Sequence, residues 1–258
     1  MLFWVPFILA AKSFAVDGIV VALDPTARTM LISHRPIGKY MPAMMMPFRV
    51  DRPGDLDGLY PGARVQFDLI VEKDRSVARH VRKTGDGEIP PAREKLRIGD
   101  PLPEFALIDQ GGRTVRLADL RGKVLAIDFI YTRCPLPDVC PRLAANFAAL
   151  QRRFHARIGD DLVLLSVTVD PDYDTSAVLA EYARRWAADP RGWHFLTGDV
   201  HEIAASLGEV YWTDEGSIGH NSMTSVIGRD GRLAATVEGS AWRIDQLGNL
   251  VAHQLEEK

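Results

Sequence analysis

The chain has 258 residues, enough for one large domain or two ordinary ones and for a substantial core without disulfide staples. Hydrophobic residues at 47% and charged residues at 25% exclude a disordered or fibrous chain. A formal net charge of -3 excludes a globally basic nucleic-acid binder, and two cysteines, Cys134 and Cys140, exclude a disulfide framework. Charge is uneven: residues 1 to 97 hold 15 Lys and Arg against 11 Asp and Glu, whereas residues 98 to 258 hold 16 against 23. A domain boundary is expected near residue 97.

Residues 1–15 read as an export signal or its remnant. Leu2 to Ala11 is an apolar run too short to span a bilayer as a helix. Ser13 and Ala15 put small residues where a signal peptidase needs them, but no basic stretch precedes the run. The competing reading is a hydrophobic first strand. Residues 16–83 then show short strands. Gly18 to Leu23 and Thr29 to His34 form a hairpin around Asp24-Pro25, and Arg64 to Glu72 and Ser76 to Arg82 form another around Lys73-Asp74-Arg75. Four or five strands in this length predict a small closed β-barrel of the OB-like kind. Residues 84–97, with Gly85, Gly87, Pro90 and Pro91 among charges, are expected as a linker.

Residues 98–256 change period. Val124 to Tyr131 is an apolar run interrupted by Asp128, as for a strand covered on both faces. Leu143 to Ile158 is helical, Leu162 to Val169 a strand, Ser176 to Trp186 helical, Trp193 to Leu196 extended and Val200 to Leu207 helical. Met223 to Gly228 and Arg232 to Val237 make a hairpin around Asp230-Gly231, and Ile244 to Leu255 is a final helix. The pattern predicts an α/β domain around a central sheet.

Two clusters carry chemistry. Of seven methionines, Met41, Met44, Met45 and Met46 fall within six residues, after His34 ends a predicted strand. In an extended segment residues 44 and 46 share a face, so two thioethers can stand beside one imidazole, a soft set that favours Cu(I). Methionine as core filler is the bland alternative. The stretch from His34 through Met41-Pro-Ala-Met44-Met-Met46-Pro-Phe resembles the metal-binding segment of periplasmic copper-binding barrels of copper and silver efflux systems. That resemblance implies His34, Met44 and Met46 as ligands. Met41 stands where those proteins carry a capping tryptophan, either as a further thioether or as cover.

The second cluster is Cys134-Pro-Leu-Pro-Asp-Val-Cys140-Pro141. Pro141 suits a first helical turn, whose dipole should favour the Cys140 thiolate. The spacing is compatible with a disulfide or with two metal ligands. The same region, with Gly122-Lys123, Asp138-Val139-Cys140-Pro141, the run Thr168-Val-Asp170-Pro-Asp-Tyr-Asp174-Thr175, Leu196-Thr-Gly198 and His220, resembles the Sco/SenC family. That resemblance implies a thioredoxin-like fold and copper held as Cu(I) or Cu(II) by Cys134, Cys140 and His220. His220 is expected in an exposed turn. Family spacing leaves three residues between the cysteines, whereas this chain has five. Asp138, Asp170 and Asp174 are assigned supporting roles around the loop, with Asp174 also suited to capping the next helix.

The resemblance implies an exported copper chaperone, in the periplasm or at the outer face of the cytoplasmic membrane, with peripheral membrane association as an option. Its partner would be a cytochrome c oxidase subunit with a copper site, or another cuproprotein. The competing class is a thiol-disulfide oxidoreductase with Cys134 and Cys140 as catalytic residues. Copper storage or sensing is a third reading.

Overall fold

In-out alternation, interrupted by bulges in β1 and in the β4–β5 pair, builds an antiparallel sheet from the first part of the chain: β1 (Lys12–Asp24), β2 (Thr29–His34), β3 (Met44–Arg49), β4 (Ala63–Val71) and β5 (Ser76–Asp86), in the order β3-β2-β1-β4-β5. The computed structural model describes residues 12–41, 44–72, 75–87, 95–214, 217–240 and 242–257. It divides into units Met1–Pro90 and Pro91–Lys258.

Val16, Val20, Met30, Ile32, Phe48, Val65, Phe67 and Leu69 are buried together as the core of the first unit. Just past β3, Val50 bridges to Ala78 on β5, and the Asp51 amide donates to the Ala78 carbonyl at 3.0 Å. The two edge strands therefore meet at this point, where the sheet closes into a barrel. Gly18 lies opposite His34, where a Cβ would stand 2.5 Å from the Ser33 carbonyl oxygen. A side chain there would push β1 away from the histidine strand.

Two expected boundaries are corrected. Residues 12–15, read as the end of an export segment, belong to β1 and pair with Asp68 to Val71 of β4. Their alternation continues that of Val16 without a turn residue, so the ladder extends through them. Residues 1–11 lie outside the described residues. The expected linker is shorter than 84–97: β5 runs to Asp86, and the Leu96 amide donates to the Ser206 carbonyl within the second unit at 2.8 Å.

The second unit contains β6 (Ala106–Asp109), β7 (Thr114–Arg116), β8 (Val124–Ile130), α1 (Cys140–Arg153), β9 (Leu162–Thr168), α2 (Ser176–Arg185), β10 (Trp193–Thr197), α3 (His201–Ser206), β11 (Tyr211–Asp214), β12 (Ser217–His220), β13 (Met223–Ile227), β14 (Leu233–Glu238) and α4 (Ile244–Glu256). Its main sheet runs β14-β13-β8-β9-β10-β6-β7, with β8, β9 and β10 parallel and the outer pairs antiparallel. Every residue of β8 and β9 is buried, because helices cover the parallel centre. This is the expected thioredoxin-like architecture. Gly111 and Gly112 turn the β6–β7 hairpin, as their pairing in the sequence suggests; the β11–β12 hairpin was not anticipated, because strands of four residues are too short for periodicity to register.

One topological fact positions the chemistry. β13 runs antiparallel to β8, with Thr224 opposite Asp128. The end of β8, which leads to the cysteines, and the start of β13, which follows His220, thus lie at the same end of the sheet.

Candidate metal centres

In the barrel, His34 is opposite Met44, Ser33 opposite Met45 and Ile32 opposite Met46. Directly opposed residues share a face and alternate ones return to it. Positions 34, 44 and 46 therefore fall on one face and 45 on the other. His34 is buried, its Nδ1 donates to the Arg35 carbonyl at 2.8 Å, and its Nε2 has no hydrogen-bond partner among the described residues. Burial pushes the imidazole pKa down, so Nε2 carries a free lone pair. An orphaned, neutral imidazole nitrogen beside thioether positions fits a soft cation. Met46 packs against the barrel core, as does Met41, whose backbone bridges to Ile37.

In the second unit, each element end is tied down before it delivers its ligand. After β8, the Thr132 amide and hydroxyl both donate to the Asp174 carboxylate, the amide at 3.0 Å. Thr168 donates to the same carboxylate at 2.6 Å. Arg133 Nε donates to Asp170 at 2.6 Å, and its guanidinium lies 4.5 Å from the centre of the exposed Tyr173 ring. Asp174 is thus a buried hub joining the exits of β8 and β9. It does not cap α2; Thr175 does, accepting from the Val178 amide. Asp138 stays at the surface, pairs with Arg142 and accepts from Ser240 through its carbonyl.

Cys140 opens α1 and is fully buried, while Cys134 is half-buried and hydrogen-bonded to it. Cys140 Sγ lies 3.7 Å from His220 Nε2. That separation suits two ligands of one ion. Among the described residues no ready-made cage of three His, Cys, Asp or Glu side chains stands, so these groups are neighbours rather than a closed site.

Two expectations about this site are corrected. His220 is not in an exposed turn: its side chain is 3% exposed at the end of β12. The thiolate also belongs to the other cysteine. The hydrogen bond from Cys140 lowers the Cys134 pKa to about 6, with His220 adding in the same sense. Burial pushes the Cys140 thiol well up, because the helix-start amides do not outweigh the loss of water.

Three residues of the site escaped the sequence reading. The Glu209 carboxylate, buried, accepts from His220 Nδ1 at 2.8 Å, the Ser222 amide at 3.2 Å and the Met223 amide at 2.6 Å. Burial alone would lower the His220 pKa; Glu209, together with the charges of Cys134 and Asp128, outweighs it and raises the pKa. Tyr131 donates to the Ile218 carbonyl at 3.2 Å and meets the His220 ring edge-on at 5.7 Å. Asp128 is fully buried in β8 with Ser166 beside its carboxyl, and burial raises its pKa to about 7 against that contact. The available signal was the same for Asp128 and Glu209: a lone acid beside or within an apolar run.

Residues 94–255 match the SCO1/SenC family model, and residues 13–83 match the model of the copper binding periplasmic protein CusF. The SCO1 protein homolog of Bacillus subtilis is 30% identical over 154 residues, 55% of this chain and 78% of that protein. A SCO1/SenC family lipoprotein of Bacillus anthracis superposes with a TM-score of 0.56 at 26% identity, covering 64% of this chain and 99% of that one. Arabidopsis thaliana ScoI with copper bound gives 0.52 at 27% identity, covering 63% and 100%. With more than half of its length matched by that family's model, the chain belongs to the SCO1/SenC family and carries a CusF-like copper-binding domain ahead of it.

Proposed function

We propose that the protein is a copper carrier that acts in assembly of cytochrome c oxidase, taking copper as cargo at a site in each domain. The carrying observation is the approach of Cys140 Sγ to His220 Nε2 at 3.7 Å beside the Cys134 sulfur. The relatives named SCO1 and the copper-bound ScoI support the same reading. In the barrel, the unpartnered Nε2 of His34 and the opposed methionine positions support a second site for Cu(I).

The two donor sets suit different steps. Thioethers are neutral and bind without releasing protons, whereas thiolates must be deprotonated first. Copper collected on the barrel could pass to the thiolates, the shared chain keeping local concentration high. The CusF-like domain, whose family model is described as periplasmic, supports a periplasmic location. Among the described residues no helix is long and apolar enough to cross a membrane.

A thiol-disulfide oxidoreductase is the second reading. The lowered Cys134 pKa favours it, since a thiolate at neutral pH attacks a substrate disulfide. Cys140 would then displace the substrate, leaving a Cys134–Cys140 disulfide and two substrate thiols, so one disulfide forms as one is reduced.

His220→Ala separates the readings under anaerobic copper titration and a thiol-exchange assay run in parallel. A carrier loses much of its second-domain copper affinity and its delivery to the oxidase. Absence of copper binding by the second domain in both proteins, with full exchange activity in the variant, would leave the reductase alone standing.

A further inference from the structure

The connection between β12 and β13 is held by two side chains that cross between segments. Asn221 Oδ1 accepts from the Val210 amide at 2.9 Å, and its Nδ2 donates to the Gly208 carbonyl at 2.8 Å. Glu209 answers from the other side, taking His220 Nδ1 and the Ser222 amide on Oε1 and the Met223 amide on Oε2. Ser222 sits in the left-handed region at a φ of 57°, and the two clamps hold that turn in place. The Glu209 side chain is completely buried.

A carboxylate has no hydrogen to give. The nitrogen of His220 that faces it must therefore carry a proton, which in the neutral ring leaves the other nitrogen as a lone pair. That other nitrogen is the one 3.7 Å from Cys140 Sγ. The Tyr131 ring, edge-on at 5.7 Å, closes a further side of the imidazole and limits its rotation. We infer that Glu209 is a positioning residue for the metal site: its carboxylate selects the Nδ1–H tautomer of His220 and aims Nε2 at the cysteine pair. This deepens the copper-carrier reading and rests on it only for the identity of the ion. An acceptor behind a ligating imidazole also strengthens its donation, and losing such a partner typically costs about 10- to 100-fold in metal affinity.

The test uses the full chain, reduced, with 15N-labelled histidine at pH 8, His220 being assigned by comparison with His220→Ala. The wild type should show a protonated Nδ1 and an unprotonated Nε2 at residue 220. Glu209→Ala should lose that preference and drift toward the Nε2–H form that histidine favours in water. Cu(II) titration, read by the thiolate-to-copper absorption that the thiolate-free barrel cannot produce, should weaken about 10- to 100-fold in the same variant. Should Glu209→Ala fail to fold, Glu209→Gln replaces it. Its amide oxygen can serve the imidazole or the Met223 amide but not both, so a mixed tautomer population and weaker binding are expected.

A wild-type His220 protonated on Nε2 overturns the inference whatever the variants do. So does a folded Glu209→Ala protein with the Nδ1–H tautomer and Cu(II) affinity intact. A tautomer that depends on Glu209 in a protein that gives no thiolate–copper band would sustain the positioning role while sinking the copper-carrier reading.

Discussion

The barrel and the thioredoxin-like domain present soft ligands by opposite means. In the barrel the candidate ligands lie on one hairpin, His34 facing Met44 with Met46 one pleat along, and the ladder alone sets their spacing. In the second domain Cys134, Cys140 and His220 come from three places, and four buried or tethered acids, Asp128, Asp170, Asp174 and Glu209, surround them. The lesson is about charge. Neutral thioethers need no electrostatic support, while a thiolate pair with an imidazole needs proton positions to be set by neighbours. Once His34 is neutral the barrel site should respond little to pH, whereas the second site should depend on it steeply.

The largest expected effect comes from Cys134→Ser with Cys140→Ser. Copper bound per reduced chain should fall from two ions to one, and X-ray absorption should show the remaining ion bound by thioether and imidazole. Retention of two ions would erase the distinction between the sites. Next, Asp174→Ala removes one carboxylate that accepts three hydrogen bonds, at a cost of roughly 3 kcal/mol to the second domain. Urea unfolding followed by fluorescence should lose stability there, while Cu(I) binding by the barrel stays unchanged.

A smaller, graded effect is the pH dependence of stability. Burial raises the Asp128 pKa from 3.8 to about 7 in the folded chain, so between those values the folded state binds the extra proton. Stability of the second domain should therefore fall as pH rises from 3.8 to about 7 and level off above that. Asp128→Asn should remove this component of the slope; a urea midpoint series with the same slope in both proteins would contradict it. Alkylation of apo protein by iodoacetamide sharpens the contrast between the sulfurs. Cys134 should become reactive as pH rises through about 6, while buried Cys140 stays protected. Mass spectrometry of the labelled peptides distinguishes them.

The smallest effect is expected for Met41→Leu. The swap keeps apolar cover and volume, so stability should change by less than about 1.5 kcal/mol. Barrel Cu(I) affinity should drop modestly, by less than about tenfold, if residue 41 covers the site rather than ligating. A larger loss in a competition titration would make it a ligand.

Much of this molecule was determined by its sequence alone. Alternation over β1, β2, β4 and β5, the continuous apolar runs of β8 and β9, and the helical spacings of α1, α2 and α4 identify both architectures, because each reflects a face that must be buried. Period two also places residues 44 and 46 on one face without any tertiary information, whereas His34 joins them through the β2–β3 register. What only the tertiary structure decided concerns distance and water. Cys140 and His220 are 80 residues apart, and they meet because β13 returns antiparallel beside β8. Which cysteine holds the thiolate depends on how far each sulfur is buried, and the proton on His220 depends on Glu209, which reaches it from a turn of its own. Spacing along the chain encodes which faces are apolar; it does not encode which charges lose their water together, and in this site that loss governs the proton positions.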